Sequence, residues 1–219
     1  MNNIDPKYLP GSYYSFQNYN DPIRMITYWH QINEVLSEQP ASVLEIGIGS
    51  GLVSSYLEAS GIKVTKVDLN ESLSPDIVGD VRNLDSLIDK KYDVVLCARV
   101  LHHLPFQDLE AVITSLLKVA KKRLVITLPV NDMRIYFFSR YTSSGLFSKS
   151  LPLPLFLKKF ISIILRKNYG SGLWMLNDGK SMKYFSFVES LKNSFSLVNQ
   201  YRIKEDMSHA VFVFDATSE

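Results

Sequence analysis

The chain has 219 residues, of which 46% are hydrophobic and 21% are charged, and its formal net charge is +2 at pH 7. These values are ordinary for a globular protein and exclude an intrinsically disordered chain. The length suits one large α/β domain, and the near-neutral total charge by itself favours no class of partner.

The first half of the chain predicts a regular alternation of helices and strands. In the turn-rich start, Met1 to Tyr14, no apolar run follows a charged stretch, so we expect no signal peptide. Asp21 to Leu36 is predicted to be a helix, with Asp21 as its N-cap and Pro22 at its first position. Apolar runs then predict strands, and segments of helical periodicity between them predict helices. The strands are expected at 42–46, 62–67, 76–81, 92–97 and 123–128, and the helices at 52–59 and 105–120.

The regular alternation stops after Pro129. Residues 131–183 are rich in aromatic residues, Ser, Gly and Pro and show no clean strand, so we expect an insertion in the regular fold. A helix at 186–193 and strands at 196–203 and 210–215 follow. Strands that alternate with helices form a mostly parallel sheet. The chain, residues 1–219, is therefore predicted to be a single doubly wound, Rossmann-like α/β domain, with a seven-stranded sheet that has an antiparallel edge strand.

A glycine-rich turn follows the first predicted strand, in Glu45-Ile-Gly47-Ile-Gly49-Ser-Gly51. Glycine permits positive φ angles and a close approach of the backbone to a ligand, and the amides at the start of the next helix face that ligand. The dinucleotide fingerprint Gly-x-Gly-x-x-Gly would need glycine at Leu52. The turn therefore favours an adenosyl ligand with an amino-acid tail over a nicotinamide or flavin, and a turn without any ligand is the alternative.

Acidic residues follow the next two predicted strands. Asp68 ends the second strand, where a carboxylate can accept hydrogen bonds from both ribose hydroxyls, or is simply a solvated strand-end acid. Asp80 follows the third strand and either reaches an adenine amino group or caps the next helical segment. Ligand crevices lie at the carboxyl ends of parallel strands, so both acids are expected at the same edge as the glycine turn.

The segment Arg99-Val-Leu-His102-His103-Leu-Pro105 follows the fourth strand. It is expected to border the amino-acid tail of the ligand and the pocket of a second substrate. An imidazole titrates near neutrality, so His102 or His103 is a candidate general base. The alternative is that both rings pack against the entry of the next helix, and the lack of a visible partner favours it.

Four segments, taken in order, resemble the class I S-adenosylmethionine (SAM) dependent methyltransferases, closest to the small-molecule group that includes the ubiquinone-biosynthesis type. They are the glycine turn with Glu45, the strand-end Asp68, Gly79-Asp80-Val81, and 92–98 with 100–105. The resemblance covers about residues 41–129 and is weaker from Phe185 onwards. It implies an enzyme that uses SAM and needs no metal.

The resemblance also implies roles for single residues. Glu45, Gly47, Gly49 and Gly51 would shape the methionine and ribose site, Asp68 would bind the ribose, and Asp80 with Val81 would bind the adenine. Arg99 would border the cofactor. Relatives often carry glutamate at the position of His102, so any role of that glutamate does not transfer to this chain.

SAM carries an already activated methyl group, so the protein mainly has to align an acceptor with it and exclude water. A base is needed only if the acceptor atom must lose a proton. The absence of an obvious catalytic pair in the sequence is therefore expected.

The insertion at 131–183 has nine cationic and two acidic residues, with aromatic residues between them. The cationic residues are Arg134, Arg140, Lys149, Lys158, Lys159, Arg166, Lys167, Lys180 and Lys183. Insertions at this place in the family commonly form a lid over the acceptor, so the resemblance implies a helical lid after the fifth strand. Because this lid is basic, we expect an anionic acceptor, such as a phosphorylated or nucleotide-linked sugar or a lipid-linked intermediate. Residues 155–167 predict an amphipathic helix that packs on the domain or, alternatively, makes peripheral contact with a membrane.

Other functions stay open. A non-catalytic SAM-binding subunit or sensor that acts through a partner is possible, while Leu52 opposes a nicotinamide oxidoreductase. The near-neutral charge and the lack of a recognition module make nucleic acid an unlikely partner. A single cysteine, Cys97, cannot form an intrachain disulfide and fits a reducing compartment, so we expect a cytoplasmic protein.

Overall fold

A computed structural model describes residues 6–131, 134–142, 145–152, 173–177, 181–206 and 208–217. The α-helices of these residues are α1 (Phe16–Tyr19), α2 (Pro22–Ser37), α3 (Leu52–Ala59), α4 (Leu84–Leu87), α5 (Leu109–Lys118) and α6 (Tyr184–Ser194). The strands are β1 (Ser42–Ile46), β2 (Lys63–Asp68), β3 (Ile77–Val78), β4 (Tyr92–Ala98), β5 (Ala120–Pro129), β6 (Arg134–Thr142), β7 (Gly145–Pro152), β8 (Leu197–Arg202) and β9 (His209–Asp215).

Seven of the strands form one sheet in the order β3-β2-β1-β4-β5-β9-β8. Strands β1 to β5 are parallel, and β9 runs antiparallel to both of its neighbours, β5 and β8. The predicted doubly wound, Rossmann-like α/β fold is therefore confirmed, including the antiparallel addition at one edge. Because β9 is reversed, its first residues lie at the same end of the sheet as the last residues of β5.

Both faces of the sheet are covered, as a parallel sheet requires. On one face, Val43, Leu96 and Val211 belong to an apolar layer under α2 and α3. On the other face, Leu44, Val95 and Phe212 belong to a larger layer that includes residues of α5 and α6. Each fully buried side chain of this size contributes about 1.5–3 kcal/mol, so the two layers hold the carboxyl edge of the sheet in place.

Helix α2 begins as the sequence predicts. The Asp21 side chain accepts a hydrogen bond from the Arg24 amide at 2.9 Å, and Pro22 is the first helical residue. The helix predicted at 105–120 is shorter, because a 3-10 turn at Phe106–Asp108 precedes α5. The strand predicted at 76–81 shrinks to β3, because Asp80 already caps the next turn.

The prediction that the insertion contains no clean strand is wrong. Strands β6 and β7 pair antiparallel as a separate two-stranded sheet. Their sequences contain Ile-Tyr-Phe-Phe and Leu-Phe, which have high β propensity although they lack the period-two pattern on which the prediction relied. The predicted helix at 155–167 lies outside the described residues. Among the described helices, none is long and apolar enough to cross a bilayer.

Candidate active site

The glycine turn adopts the conformation that its sequence predicts. Gly47, Gly49 and Gly51 have φ angles of +80°, +53° and +69°, a region that side-chain-bearing residues rarely adopt. The Gly47 amide donates to the Val67 carbonyl at 2.8 Å, which ties the turn to β2. A Cβ on Gly47 would lie 2.1 Å from Cγ2 of Val100, so the turn also lies directly against the segment after β4.

Asp68 lies at the end of β2 and bonds to the glycine turn. One carboxylate oxygen accepts from the Ile48 amide at 3.0 Å and the other from the Asn70 amide at 2.8 Å. Burial raises the pKa of this carboxyl, and the backbone hydrogen bonds oppose the shift. Asp68 is thus not a freely solvated acid, and two further backbone amides, those of Gly49 and Leu69, also favour its ionised form, which is the form that accepts hydrogen bonds.

Glu45 is a buried carboxyl near the end of β1, only 3% exposed. One of its oxygens, Oε2, has no hydrogen-bond partner among the described residues. Burial raises the pKa of Glu45 to about 8, and a hydrogen bond with Ser54 partly opposes this shift. An orphaned acceptor beside the glycine turn fits a site whose ligand brings hydrogen-bond donors.

Asp80 takes the capping role that was the alternative for this residue. Its carboxylate accepts from the Arg82 amide at 2.9 Å and pairs with the Arg82 guanidinium, which lowers the pKa of Asp80. The next residue, Val81, is 4% exposed and belongs to the core. The contact of Asp80 and Val81 with adenine stays a prediction.

The N-terminal segment covers the glycine turn, which sequence reasoning missed. A Cβ added to Gly49 would lie 3.6 Å from Cε1 of Tyr19 and 4.0 Å from Cδ1 of Tyr14. The buried Asn70 donates to the Leu9 carbonyl at 2.7 Å, which fixes the segment over the end of β2. The aromatic residues of this segment were a signal, but composition alone does not show which surface they cover.

Two half-buried arginines lie beside this cover. Arg24 of α2 lies over the Tyr19 ring, 3.7 Å from its centroid. Arg99, directly after β4, has a φ of +58°, and its amide donates to the Thr127 carbonyl at 3.0 Å. The Nε atoms of both arginines are buried and have no hydrogen-bond partner among the described residues. Burial lowers the pKa of Arg99, and the positive charge of Arg24 adds to that effect. Paired cations with free donors fit a carboxylate or phosphate.

The two adjacent histidines lie in the 3-10 turn after β4, with ring centroids 4.0 Å apart. His102 is only 4% exposed, and its carbonyl accepts from the Leu173 amide at 2.8 Å. Burial lowers the pKa of His102 well below its ordinary value, and His103 and Arg99 add to the shift. The His102 ring is thus packed in the interior, as the alternative to a general base predicts, although its Nδ1 has no partner among the described residues.

A second histidine site was missed from sequence. His209 is the first residue of β9 and pairs in register with Pro129 at the end of β5. Its Nδ1 lies 2.5 Å from Oδ2 of Asp206, and the Ser208 hydroxyl donates to the other oxygen of that carboxylate. The signal, Asp206 three residues before His209, is visible in the sequence. Only the reversed direction of β9 brings the pair to the active edge.

The structure therefore brings the predicted residues to one edge of the sheet, at the ends of β1, β2 and β4, and adds Arg24 and His209. The residues at this edge fit SAM: they include glycines at positive φ, a strand-end carboxylate in Asp68 of the kind that can accept ribose hydroxyls, and cations that suit a carboxylate tail. Within the described part of the chain, no group of histidine, cysteine or acidic residues could hold a metal ion.

Comparison with known proteins agrees with this geometry. Residues 44–126 match the family model described as a methyltransferase domain. No curated protein sequence matches the chain.

Solved structures share the fold. The magnesium protoporphyrin IX methyltransferase of Synechocystis PCC 6803 with bound S-adenosylhomocysteine (SAH) aligns over 88% of this chain and 84% of its own, with a TM-score of 0.57 and 16% identity. The CcbJ methyltransferase of Streptomyces caelestis aligns over 98% of both chains, with a TM-score of 0.58 and 14% identity. The 1,6-didemethyltoxoflavin-N1-methyltransferase of Burkholderia thailandensis, with that compound and SAH bound, aligns over 93% of this chain and 84% of its own, with a TM-score of 0.53 and 17% identity.

The ubiquinone-biosynthesis subgroup stays a prediction. Residues 44–126 match a methyltransferase domain, and the chain has the fold of the class I SAM-dependent methyltransferases.

Proposed function

We propose that this methyltransferase acts on an anionic small-molecule acceptor. The observation that carries the proposal is the pair of half-buried arginines at the active edge, Arg24 and Arg99, each with a buried Nε that has no hydrogen-bond partner among the described residues. The methionine carboxylate of SAM needs one such group. We assign Arg24 to that carboxylate, because it lies over Tyr19 beside the glycine turn, and place Arg99 at the border between the methionine tail and the acceptor.

The other cofactor roles follow from the geometry of the turn. Gly47, Gly49 and Gly51 leave room for the methionine and ribose, with Glu45 behind them, and Asp68 accepts the ribose hydroxyls. The adenine lies beyond β2, near Asp80 and Val81. When bound, SAM supplies an activated methyl group, and the protein aligns the acceptor and excludes water.

The basic insertion supports an anionic acceptor and its place as a lid. Two described residues near its end bond to the turn after β4 that holds the histidines. The Trp174 indole donates to the Leu104 carbonyl at 2.8 Å, and the Leu173 amide donates to the His102 carbonyl. Leu173 and Trp174, near the end of the insertion, thus lie at the active edge. The finer alternatives, a sugar phosphate or a lipid-linked intermediate at a membrane surface, depend on 155–167, which lie outside the described residues.

His102 and His103 are placed at the border of the acceptor, and the role of general base that the sequence suggested for either ring stays a prediction. The solved structures named above include enzymes of small molecules, one named for magnesium protoporphyrin IX and one for 1,6-didemethyltoxoflavin. They support a small-molecule acceptor as a class and leave its chemistry to experiment.

The cofactor site is tested by calorimetric titration of SAH and NADH. We expect SAH to bind and NADH not to bind, and Asp68→Ala to weaken SAH binding at least about 10-fold, since it removes charged acceptors worth about 1.5–3 kcal/mol. Asp76→Ala is the matched control, because Asp76 also accepts a backbone amide, that of Lys66, but is exposed. Equal SAH affinity of the parent protein and Asp68→Ala would reject the assigned site.

The acceptor is tested by SAH release from a panel of sugar phosphates, nucleotide sugars and aromatic carboxylates, each with a neutral analogue. Turnover of the anionic members and not of their analogues is expected. Arg99→Gln should raise the KM of an anionic acceptor. SAH binding without turnover of any panel member would favour the second candidate, a non-catalytic SAM-binding subunit.

A further inference from the structure

His209 and Asp206 form a hydrogen-bonded pair at the carboxyl edge of the sheet that the functional roles above do not use. The Asp206 carboxylate is buried and accepts from the His209 Nδ1 at 2.5 Å and from Ser208. This arrangement fixes the imidazole ring and places the proton of a neutral ring on Nδ1.

The other ring nitrogen is free. Nε2 of His209 is buried and has no hydrogen-bond partner among the described residues. With the proton on Nδ1, this nitrogen carries an unshared electron pair. A buried, unpartnered acceptor of this kind calls for a donor that the protein itself does not supply.

The position of the pair points to the acceptor and not to the cofactor. The glycine turn and Asp68 lie at the ends of β1 and β2, whereas His209 pairs with Pro129 at the end of β5. Strand β4, with Arg99 directly after it, lies between the two regions. Thr127, which pairs in register with Val211 of β9, accepts the Arg99 amide through its carbonyl. His209 therefore lies on the β5 side of β4, whereas the proposed cofactor site lies on the β1 and β2 side.

We propose that His209, oriented by Asp206, is the general base of the reaction, which implies an acceptor whose nucleophilic atom carries a proton, such as a hydroxyl. This inference rests on the proposed function. The acceptor proton moves to Nε2 while the acceptor oxygen forms its bond to the methyl carbon. The carbon–sulfur bond of the donor breaks, its electron pair stays on sulfur, and the imidazolium, stabilised by Asp206, releases its proton to water.

The surrounding charges keep His209 neutral before the reaction. Burial lowers its pKa, and the guanidinium groups of Arg99 and Arg24 lower it further, while Asp206 raises it. His102 is also near enough to interact with it. A neutral imidazole near pH 7 is the form that a base requires.

The first test needs no acceptor. Long-range 1H–15N correlation spectra of the 15N-labelled full chain with saturating SAH report the protonation of each imidazole, and His209→Asn assigns the signal. We expect His209 to be neutral near pH 7, with its proton on Nδ1. A proton on Nε2, or an imidazolium near pH 7, would overturn the proposal whatever the acceptor is.

The second test uses the acceptor that the panel returns. His209→Asn retains a donor for Asp206 and removes the base, so we expect kcat to fall about 100-fold or more with unchanged SAH affinity, and the acidic limb of the kcat–pH profile to disappear. Asp206→Asn, which changes the tautomer without removing the ring, should lower kcat less.

The matched control is His30→Asn, because His30 is also paired with a carboxylate, Glu205, but lies on α2 beside Tyr201 of β8. An unchanged kcat and pH profile in His209→Asn, or a loss of SAH binding in that variant, would overturn the assignment of His209 as the general base. Failure of the unsubstituted protein to bind SAH would instead reject the proposed function.

Discussion

Gly47 combines a positive φ with a close neighbour, and the two effects can be separated by comparison with Gly51. At Gly47 an alanine Cβ would meet Val100 Cγ2 at 2.1 Å, whereas at Gly51 the nearest atom is Ser54 Oγ at 3.9 Å. Both substitutions force alanine to a φ that costs about 1–2 kcal/mol, but only Gly47→Ala adds overlap, worth about 1–3 kcal/mol. Urea unfolding should show Gly47→Ala to be the less stable variant by about 1 kcal/mol or more. Equal losses would mean that Val100 moves away at no cost.

Glu45 makes stability depend on pH in an unusual direction for an acid. Its pKa is raised by burial to about 8 from an ordinary value of 4.5. Between these values the folded protein holds a proton that the unfolded chain has released, so this contribution to stability is complete below about pH 4.5 and lost as the pH rises to about 8.

Glu45→Gln cannot ionise and should remove this dependence. We expect the variant to gain stability relative to the parent by about 1 kcal/mol or more between pH 5 and pH 8, since one pKa unit corresponds to about 1.4 kcal/mol. Urea unfolding at both pH values measures it, with the exposed Glu71→Gln as control. A difference from the parent that does not change with pH would show that Glu45 is ionised in the folded protein.

At the level of single residues, the sequence predicted those that follow directly from strand ends. Gly47, Asp68 and Arg99 each come directly after a strand that an apolar run identifies, and parallel strands bring their ends together. Arg24 and His209 could not be placed in this way. One lies on a helix face, and the other depends on the direction of the last strand, which a run of apolar residues does not reveal.

Among the elements, the segment between residues 6 and 20 is held to the domain by few bonds. Asn70 provides the central bond, because its side-chain nitrogen donates to the Leu9 carbonyl. Its side-chain oxygen accepts from the backbone amide and the hydroxyl of Ser72. Asn70 is 3% exposed, so Asn70→Ala leaves buried groups unpaired, at about 1–3 kcal/mol.

We expect Asn70→Ala to release this segment, with faster hydrogen exchange in residues 6–20 and weaker SAH binding, while the central strands remain protected. Asn18→Ala is the control, because the hydrogen bond that the Asn18 side chain makes among the described residues stays within the segment and goes to the Ser12 carbonyl. Unchanged exchange in residues 6–20 would show that the aromatic contacts with Gly49 suffice to hold them.

The elements also show where pattern reasoning stops. Helix α2 and strands β1, β4 and β9 have the periodicity or the continuous apolar run that burial imposes, and all were predicted. The pair β6–β7 was not, because its strands lie outside the main sheet and lack the alternation of a half-buried strand. Turn-forming residues beside high-β sequences were the only available signal for that hairpin.

For the whole molecule, charge is divided unevenly. The insertion at 131–183 holds nine cationic and two acidic residues, whereas the total net charge is only +2, so the remainder is net acidic. The anionic acceptor that we propose would be attracted by these cationic residues. The fold and the cofactor could be predicted from the order of four segments, but the acceptor could not, because no segment of the sequence carries a motif that is specific for one acceptor.

The uneven charge predicts a salt effect. Between about 0.1 M and 1 M salt the Debye length falls from about 10 to 3 Å. We therefore expect the KM of an anionic acceptor to rise with salt, while kcat and the KM of a neutral analogue stay constant. Steady-state kinetics at several ionic strengths measures this. A parallel rise for the neutral analogue would point to a general effect on the fold.

The place of β9 also bears on the synthesis of the protein. Strand β5 ends at Pro129, but the strand that covers its open edge, β9, extends to Asp215, 86 residues further along the chain. At about 5–20 residues per second, a ribosome needs roughly 4–17 s to make that stretch. During this interval the nascent chain exposes the hydrogen-bonding groups of β5 and the apolar surfaces that Phe212 and Phe214 later cover. A chaperone that binds extended apolar segments would have its target in this unfinished sheet, and only until the last strand arrives.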